Sequence, residues 1–252
     1  VDWDYLGWKY SLISSVARAP FAHCVDMIPA RDSREHELFM KDTESQKFIT
    51  DWFDWTDENA QTLKKLRSII GPPQIGRVDG TAAIDGDHGF IFLFNPNHRK
   101  VNAEFKLDES IGLTNGDYFI LKQLFPQKET YVGATEKGVY MYGDTFSKEM
   151  DGTTAWVLEI NPYEDKKSPV LLNVQGKVAY KKNKLTLTEV KAEIGTEVDV
   201  QVLLPKNKKV KQVTVNGEKK RFTQSGNLVS INCQFDGSYF AHNHAITEYN
   251  PA

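Results

Sequence analysis

Apolar positions along this 252-residue chain change period once, near residue 75. Upstream, Phe48, Ile49, Trp52, Phe53, Leu63, Leu66 and Ile70 fall near one face of a 3.6-residue repeat. That spacing predicts a helix over 43–70, interrupted around Asp54 to Asp57. Thr43 and Gln46 match a capping box at its start, and Gly71-Pro72-Pro73 stop it. Before it, Leu12, Ile13 and Val16 keep roughly helical spacing until Ala19-Pro20. Phe21 to Ile28 reads as a short strand, and the charged stretch from Pro29 to Glu37 as a loop.

Downstream, the period is two. Phe90 to Phe94 is an unbroken apolar run between Gly89 and Asn95-Pro96, the length of a buried strand. Asp85 to Gly89 is turn chemistry, so residues 79–94 read as a hairpin entering a sandwich. Val101, Ala103, Phe105 and Leu107 alternate. Asn115-Gly116 is a hairpin signal, and Tyr118 to Leu124, Gly138 to Tyr142 and Ala155 to Ile160 continue the strands. Residues 163–169 are polar and read as a linker. Beyond them Val198, Val200, Val202 and Leu204 alternate, Asn216-Gly217 marks a second hairpin, and Leu228 to Phe235 and Tyr239-Phe240 follow. The expected fold is mixed and mainly β. A short helical segment (1–75) precedes an antiparallel β-sandwich (76–162) and a second small, Ig-sized all-β module (163–252).

Composition is that of a globular protein, 40% hydrophobic and 26% charged. With a net charge of -3, neither a nucleic-acid nor a membrane partner is expected, and no apolar run reaches the 18 residues of a membrane span. The charge is uneven. Residues 163–252 hold 14 Lys and Arg against 9 Asp and Glu, and residues 1–162 carry the opposite excess. Lysines 181, 182, 184, 206, 208, 209 and 211 read either as an anion-binding patch or as solvated turns that protect strand edges. The start at Val1-Asp2-Trp3 reads as that of a fragment or processed product. Cys24 and Cys233 are too far apart in sequence for a disulfide to be argued.

Two stretches, Phe90 to Asn97 and Leu107 to Leu113, together resemble the C-terminal half of retaining α-glycosidases of the family 36, 27 and 31 group. They carry the hydrophobic strand, Asn-Pro turn and Leu…Ile-Gly-Leu pattern that opens the sandwich following the (β/α)8 barrel of those enzymes. Trp52 to Trp55 and the Gly71-Pro72-Pro73 exit are similar to the last barrel helix. The resemblance covers roughly residues 20–162. It implies a carbohydrate partner, a secreted or periplasmic location, and the remainder of a parent enzyme as a further partner. A full barrel needs about 200 residues, far more than precede the sandwich here. The nucleophile and acid/base of the family lie on earlier strands, so no catalytic residue is carried over.

Retaining chemistry needs two carboxyl groups about 5 Å apart. Asp26, Asp32, Glu35 and Glu37 are the clustered acids near a strand end. They line a sugar site with Arg31, or form a salt-bridged surface loop. Trp3 and Trp8, in an irregular segment, offer ring faces to sugar C–H groups, whereas Trp52 reads as core. Asp79, Asp85 and Asp87 sit among glycines but lack calcium-loop spacing, and His242 and His244 lack a third ligand, so no metal and no cofactor is expected. Three roles remain: the C-terminal part of a glycoside hydrolase, non-catalytic alone; a carbohydrate-binding protein; or a structural tandem β-module.

Overall fold

The computed structural model describes residues 2–21, 43–72, 74–134, 136–164, 168–192 and 195–236, with side chains from residue 8 onward. The chain forms two compact units, Val1–Lys128 with Met141–Pro162, and Glu129–Tyr140 with Tyr163–Ala252. The fold is mainly β and antiparallel, with three α-helices among the described residues.

In the first unit, α1 (Asp2–Arg18) ends where Ala19-Pro20 stops the repeat. Helix α2 (Thr43–Glu58) ends earlier than its apolar period predicts. The break falls at Asn59, where φ is -102° and ψ 12°; its backbone N–H still donates to the Trp55 carbonyl at 3.1 Å, and its Nδ2 shares that oxygen at 2.8 Å. One further turn, α3 (Ala60–Leu63), follows. Strand β1 (Arg67–Ser68) then takes residues that the periodicity assigns to helix.

The strands of this unit are β2 (Asp79–Asp85), β3 (His88–Asn95), β4 (Val101–Lys106) and β5 (Tyr118–Phe125). After β6 (Thr130–Val132) and β7 (Tyr140–Met141), β8 (Thr145–Met150) and β9 (Thr154–Pro162) complete it. Strands β1, β2, β3, β9 and β5 lie side by side in that order, all antiparallel. Strand β2 turns into β3 through Gly86 and Asp87, with Asp85 opposite His88, as the hairpin reading expects.

Pleating sends β3 side chains to two faces. Phe90, Phe92 and Phe94, with Ala155 and Val157 of β9, form one core with Leu12, Ile13, Val16, Ala17, Trp52 and Leu63 of the helices. Ile91, Leu93, Leu158 and Ile160, on the other face, are wholly buried as well. So are Ala103, Phe146 and Met150 on one face of the antiparallel β4–β8 pair, where Phe105 and Phe146 stack at 4.7 Å. These are the inner faces of a sandwich. Burying an aromatic of this size contributes about 2–3 kcal/mol, so the four rings of Phe90, Phe92, Phe94 and Trp52 dominate the helix-to-sheet contact. The Asn115-Gly116 pair makes no hairpin. β4 pairs with β8 rather than β5, and both Thr114 and Asn115 donate backbone N–H groups to the Gly86 carbonyl.

In the second unit, β6 runs parallel to β10 (Val170–Leu172). Antiparallel pairing then joins β10 to β13 (Thr196–Leu203), β13 to β17 (Leu228–Phe235) and β17 to β16 (Thr223–Ser225). Two hairpins complete it: β11 (Gln175–Lys181) with β12 (Lys184–Lys191), and β14 (Val213–Val215) with β15 (Glu218–Lys220). Val200, Val202, Leu204, Val229 and Ile231 build its core with Leu171 and Val174. The Asn216-Gly217 turn forms as predicted, with φ of 51° and 90°. The strand readings over residues 22–28 and Tyr239-Phe240 lie outside the described residues.

Candidate functional site

The stretches that carry the family resemblance form one polar clasp and one capped turn at the rim of the first unit's sandwich. Asn95 ends β3 and is fully buried. Its Nδ2 lies 2.9 Å from the Arg99 carbonyl, 3.0 Å from that of Met150 and 2.8 Å from that of Asp151. Two protons thus serve three acceptors and tie the end of β3 to the end of β8. Its Oδ1 accepts from the Asn97 backbone N–H and from Asn97 Nδ2. Asn97 reaches back to the preceding loop, accepting from Gly76 N at 2.7 Å and donating to the Arg77 carbonyl at 3.0 Å. Gly152 closes the clasp. A Cβ there would lie 2.6 Å from the His98 carbonyl carbon, so only glycine fits.

The second stretch turns through a 3₁₀ helix, Glu109–Ile111. Asp108 caps it by accepting from Ser110 N at 2.8 Å, and the bonds from Ser110 hold its carboxyl below the ordinary range. Gly112 takes φ 96° under the Arg67 guanidinium, and Leu107, Ile111 and Leu113 are fully buried.

Of the predicted sugar-binding residues, Trp3 lies in the first turn of α1. Trp8, on the same helix, is half-buried and meets Phe48 edge-on at 5.5 Å. The Lys9 ammonium sits 5.2 Å over Phe48 and 5.9 Å over Trp8. Phe48 continues to Phe125 at 5.7 Å, and Trp52 joins Trp55 at 5.1 Å, which meets Phe90 at 4.6 Å. Trp8 is therefore the outer member of an aromatic seam between helices and sheet. Asp26, Arg31, Asp32 and Glu35 lie outside the described residues.

A buried ionic group sits beside this seam. The Asp79 carboxylate, at the start of β2, is 5% exposed and pairs with Arg18 at the end of α1. Burial pushes its carboxyl above the ordinary value, and the Arg18 charge only partly offsets this. Arg18 also lies 5.7 Å over the Phe94 ring. Burial, then the Asp79 charge, raises the Tyr10 hydroxyl as well. Sequence reasoning missed this group, since Arg18 and Asp79 are 61 residues apart with no motif between them. Asp85 lies at the other end of β2 and pairs with Lys65, while Asp87 pairs with His88. Asp79 is thus at the opposite end of β2 from Asp85 and Asp87. Among the described residues no cluster of His, Cys, Asp or Glu could hold a metal ion.

The second unit carries a half-open cleft of about 250 Å³, lined by Glu129, Tyr131, Ser168, Leu171, Val174 and Val178 among others. No helix among the described residues is long and apolar enough to cross a membrane.

No protein-family model and no curated protein matches the chain. Among solved structures, it is similar to a protein of Bacillus halodurans assigned as an alpha-N-acetylgalactosaminidase, at 14% identity and TM-score 0.36, over 50% of this chain and 27% of that one. It is similar also to a GH27 β-L-arabinopyranosidase of Geobacillus stearothermophilus, at 11% identity and TM-score 0.29, over 39% of this chain and 20% of that one. A third is an α-amylase of Geobacillus thermoleovorans, at 12% identity and TM-score 0.32, over 46% and 24%. The chain thus spans about a quarter of the length of these enzymes. The likeness to glycoside hydrolases is distant, and at these TM-scores it assigns no function to the chain.

Proposed function

We propose that this chain is the C-terminal portion of a glycoside hydrolase-like protein, non-catalytic alone, whose β-modules buttress or shape a carbohydrate-active site. In this reading residues 1–75 are the end of a (β/α)8 barrel, 76–162 its sandwich and 163–252 a second module. In the same reading Trp3, Trp8, Asp26, Arg31, Asp32 and Glu35 are the residues that would contact the sugar. The observation that carries the reading is the clasp together with the capped turn: the residues of the family-like pattern, Asn95, Asn97, Leu107, Ile111, Gly112 and Leu113, each fill a specific structural role. A pattern matched by chance gives no reason for such a division of labour. The helical segment also docks on the sheet through its aromatic face.

A second reading, a carbohydrate-binding protein without catalysis, draws on the cleft with its tyrosine ring, carboxylate and hydroxyl. One experiment separates the two. The 252-residue chain is assayed on a panel of chromogenic glycosides, alone and within a longer polypeptide that supplies a barrel upstream. The first reading expects turnover only in the longer chain, with native mass spectrometry detecting sugar bound there. Turnover by the short chain sinks it. Tight sugar binding by the short chain, abolished by Tyr131→Ala, favours the second.

A further inference from the structure

The second unit brings two lysine-rich segments together. The tip of the β11–β12 hairpin reads Lys181-Lys182-Asn183-Lys184, and the loop after β13 carries Lys206, Lys208, Lys209 and Lys211. Lys208 Nζ donates to Asn183 Oδ1 at 3.4 Å, which brings loop and tip together. Both partners are braced. Tyr180 donates its hydroxyl to the same Asn183 oxygen at 3.2 Å. Gln224 clamps the loop, donating to the Lys208 carbonyl at 2.8 Å and accepting from Val210 N at 3.0 Å. All seven lysines are exposed. Among the described residues no carboxylate lies within ion-pair reach of Lys181, Lys182, Lys184, Lys208, Lys209 or Lys211.

Two features of the tip oppose folding. Lys181 and Lys184 stand directly opposite across the hairpin, a like-charge pair. Lys182 occupies the left-handed region, φ 48°, which asparagine and glycine adopt at less cost. Solubility alone would be served equally by glutamates or by lysines spread over the unit. A braced concentration of one sign makes a field that attracts a polyanion.

We propose that this tip and loop form a binding site for an acidic polysaccharide. A repeating uronate chain presents one charge per sugar to several lysines at once. The class of ligand rests on the carbohydrate reading above; the patch itself does not. The other polyanions fit less well. Among the described residues, the large exposed apolar side chains are Phe21, Ile75, Tyr118, Tyr142 and Val178. None belongs to this tip or loop, and the ring beside it, Tyr180, is half-buried with its hydroxyl held on Asn183, so bases find no open ring face to stack on and a lipid surface no exposed apolar anchor.

The test is titration of the full chain with polygalacturonate at low salt. Neutral galactan, a thymidine oligonucleotide and phosphatidylserine vesicles serve as comparisons. Binding to polygalacturonate is expected to weaken about tenfold or more in Lys181→Gln/Lys182→Gln/Lys208→Gln/Lys209→Gln, and to survive in the matching four-arginine variant. Circular dichroism and melting temperature check that both variants keep the fold. Equal affinity of wild type and the glutamine variant overturns the site. Tighter binding to the oligonucleotide or the vesicles overturns its assignment to a glycan. Failure of the glycoside hydrolase reading shows separately, as hydrolysis by the short chain, and leaves the patch data intact.

Discussion

Asp79 and Arg18 do not contribute symmetrically, because one is buried and the other is 42% exposed. Arg18→Met leaves a desolvated carboxylate without its cation, and the expected loss is about 2–3 kcal/mol at neutral pH. Asp79→Asn returns Arg18 to solvent and is expected to cost about 1 kcal/mol or less. The folded-state carboxyl already titrates above its ordinary value, and Arg18→Met raises it further. The folded form then keeps a proton that the unfolded chain has released, so stability falls as pH rises through that window. Urea unfolding should therefore find the Arg18→Met loss larger near neutrality than near about pH 4. Lys148 has the opposite sign. It sits between Phe146 and Met150 on the buried face of β8, opposite Ala103, and burial lowers its ammonium below the ordinary value. The unfolded chain holds that proton more tightly, so the cost is present at neutral pH and fades as pH rises toward the ordinary lysine value. Lys148→Met is expected to stabilise by about 1 kcal/mol at neutral pH, with the gain shrinking in alkaline melts.

Elements were legible where one period ran undisturbed. The β3 run, the alternation of β4 and β13, and the turn at Asn216-Gly217 appear where the sequence places them. The end of α2 was not, because the backbone leaves helical angles at Asn59 while the apolar repeat runs on past it. Strands β6, β8, β10, β11 and β12 went unread as well. They are short or carry polar residues on alternate positions, and several pair with segments distant in sequence. Of the candidate site, the Asn95-Pro96-Asn97 turn could be seen, but its partners at Arg99, Met150 and Asp151 could not, since carbonyl acceptors leave no mark in sequence. The clasp sets the prediction at this scale. Asn95→Ala strands three carbonyls, and about 3 kcal/mol or more should be lost in chemical denaturation. Asn95→Asp should cost more, because a carboxylate would then face the same oxygens without a proton to give.

For the molecule as a whole, the division into units does not follow chain order. Residues 129–140 leave the first unit, place β6 beside β10, and return at Met141. No sequence pattern marks this excursion, because Thr130–Val132 is three residues long and its parallel partner lies some forty positions ahead. A fragment of residues 163–252 lacks β6 and exposes the edge of β10. It is expected to melt below the second transition of the full chain, or to aggregate. Adding residues 129–140 through a short linker should restore much of the difference, as read by circular dichroism.

The same excursion also sets the order of events at the ribosome. Every segment of the first unit has been synthesised once Pro162 emerges, so that unit can close while the rest of the chain is still being made. Residues 129–140 are by then already outside, looped away from a finished core and without their partner strand. They must wait for residues 170–172, so the second unit begins around a strand delivered some forty residues early.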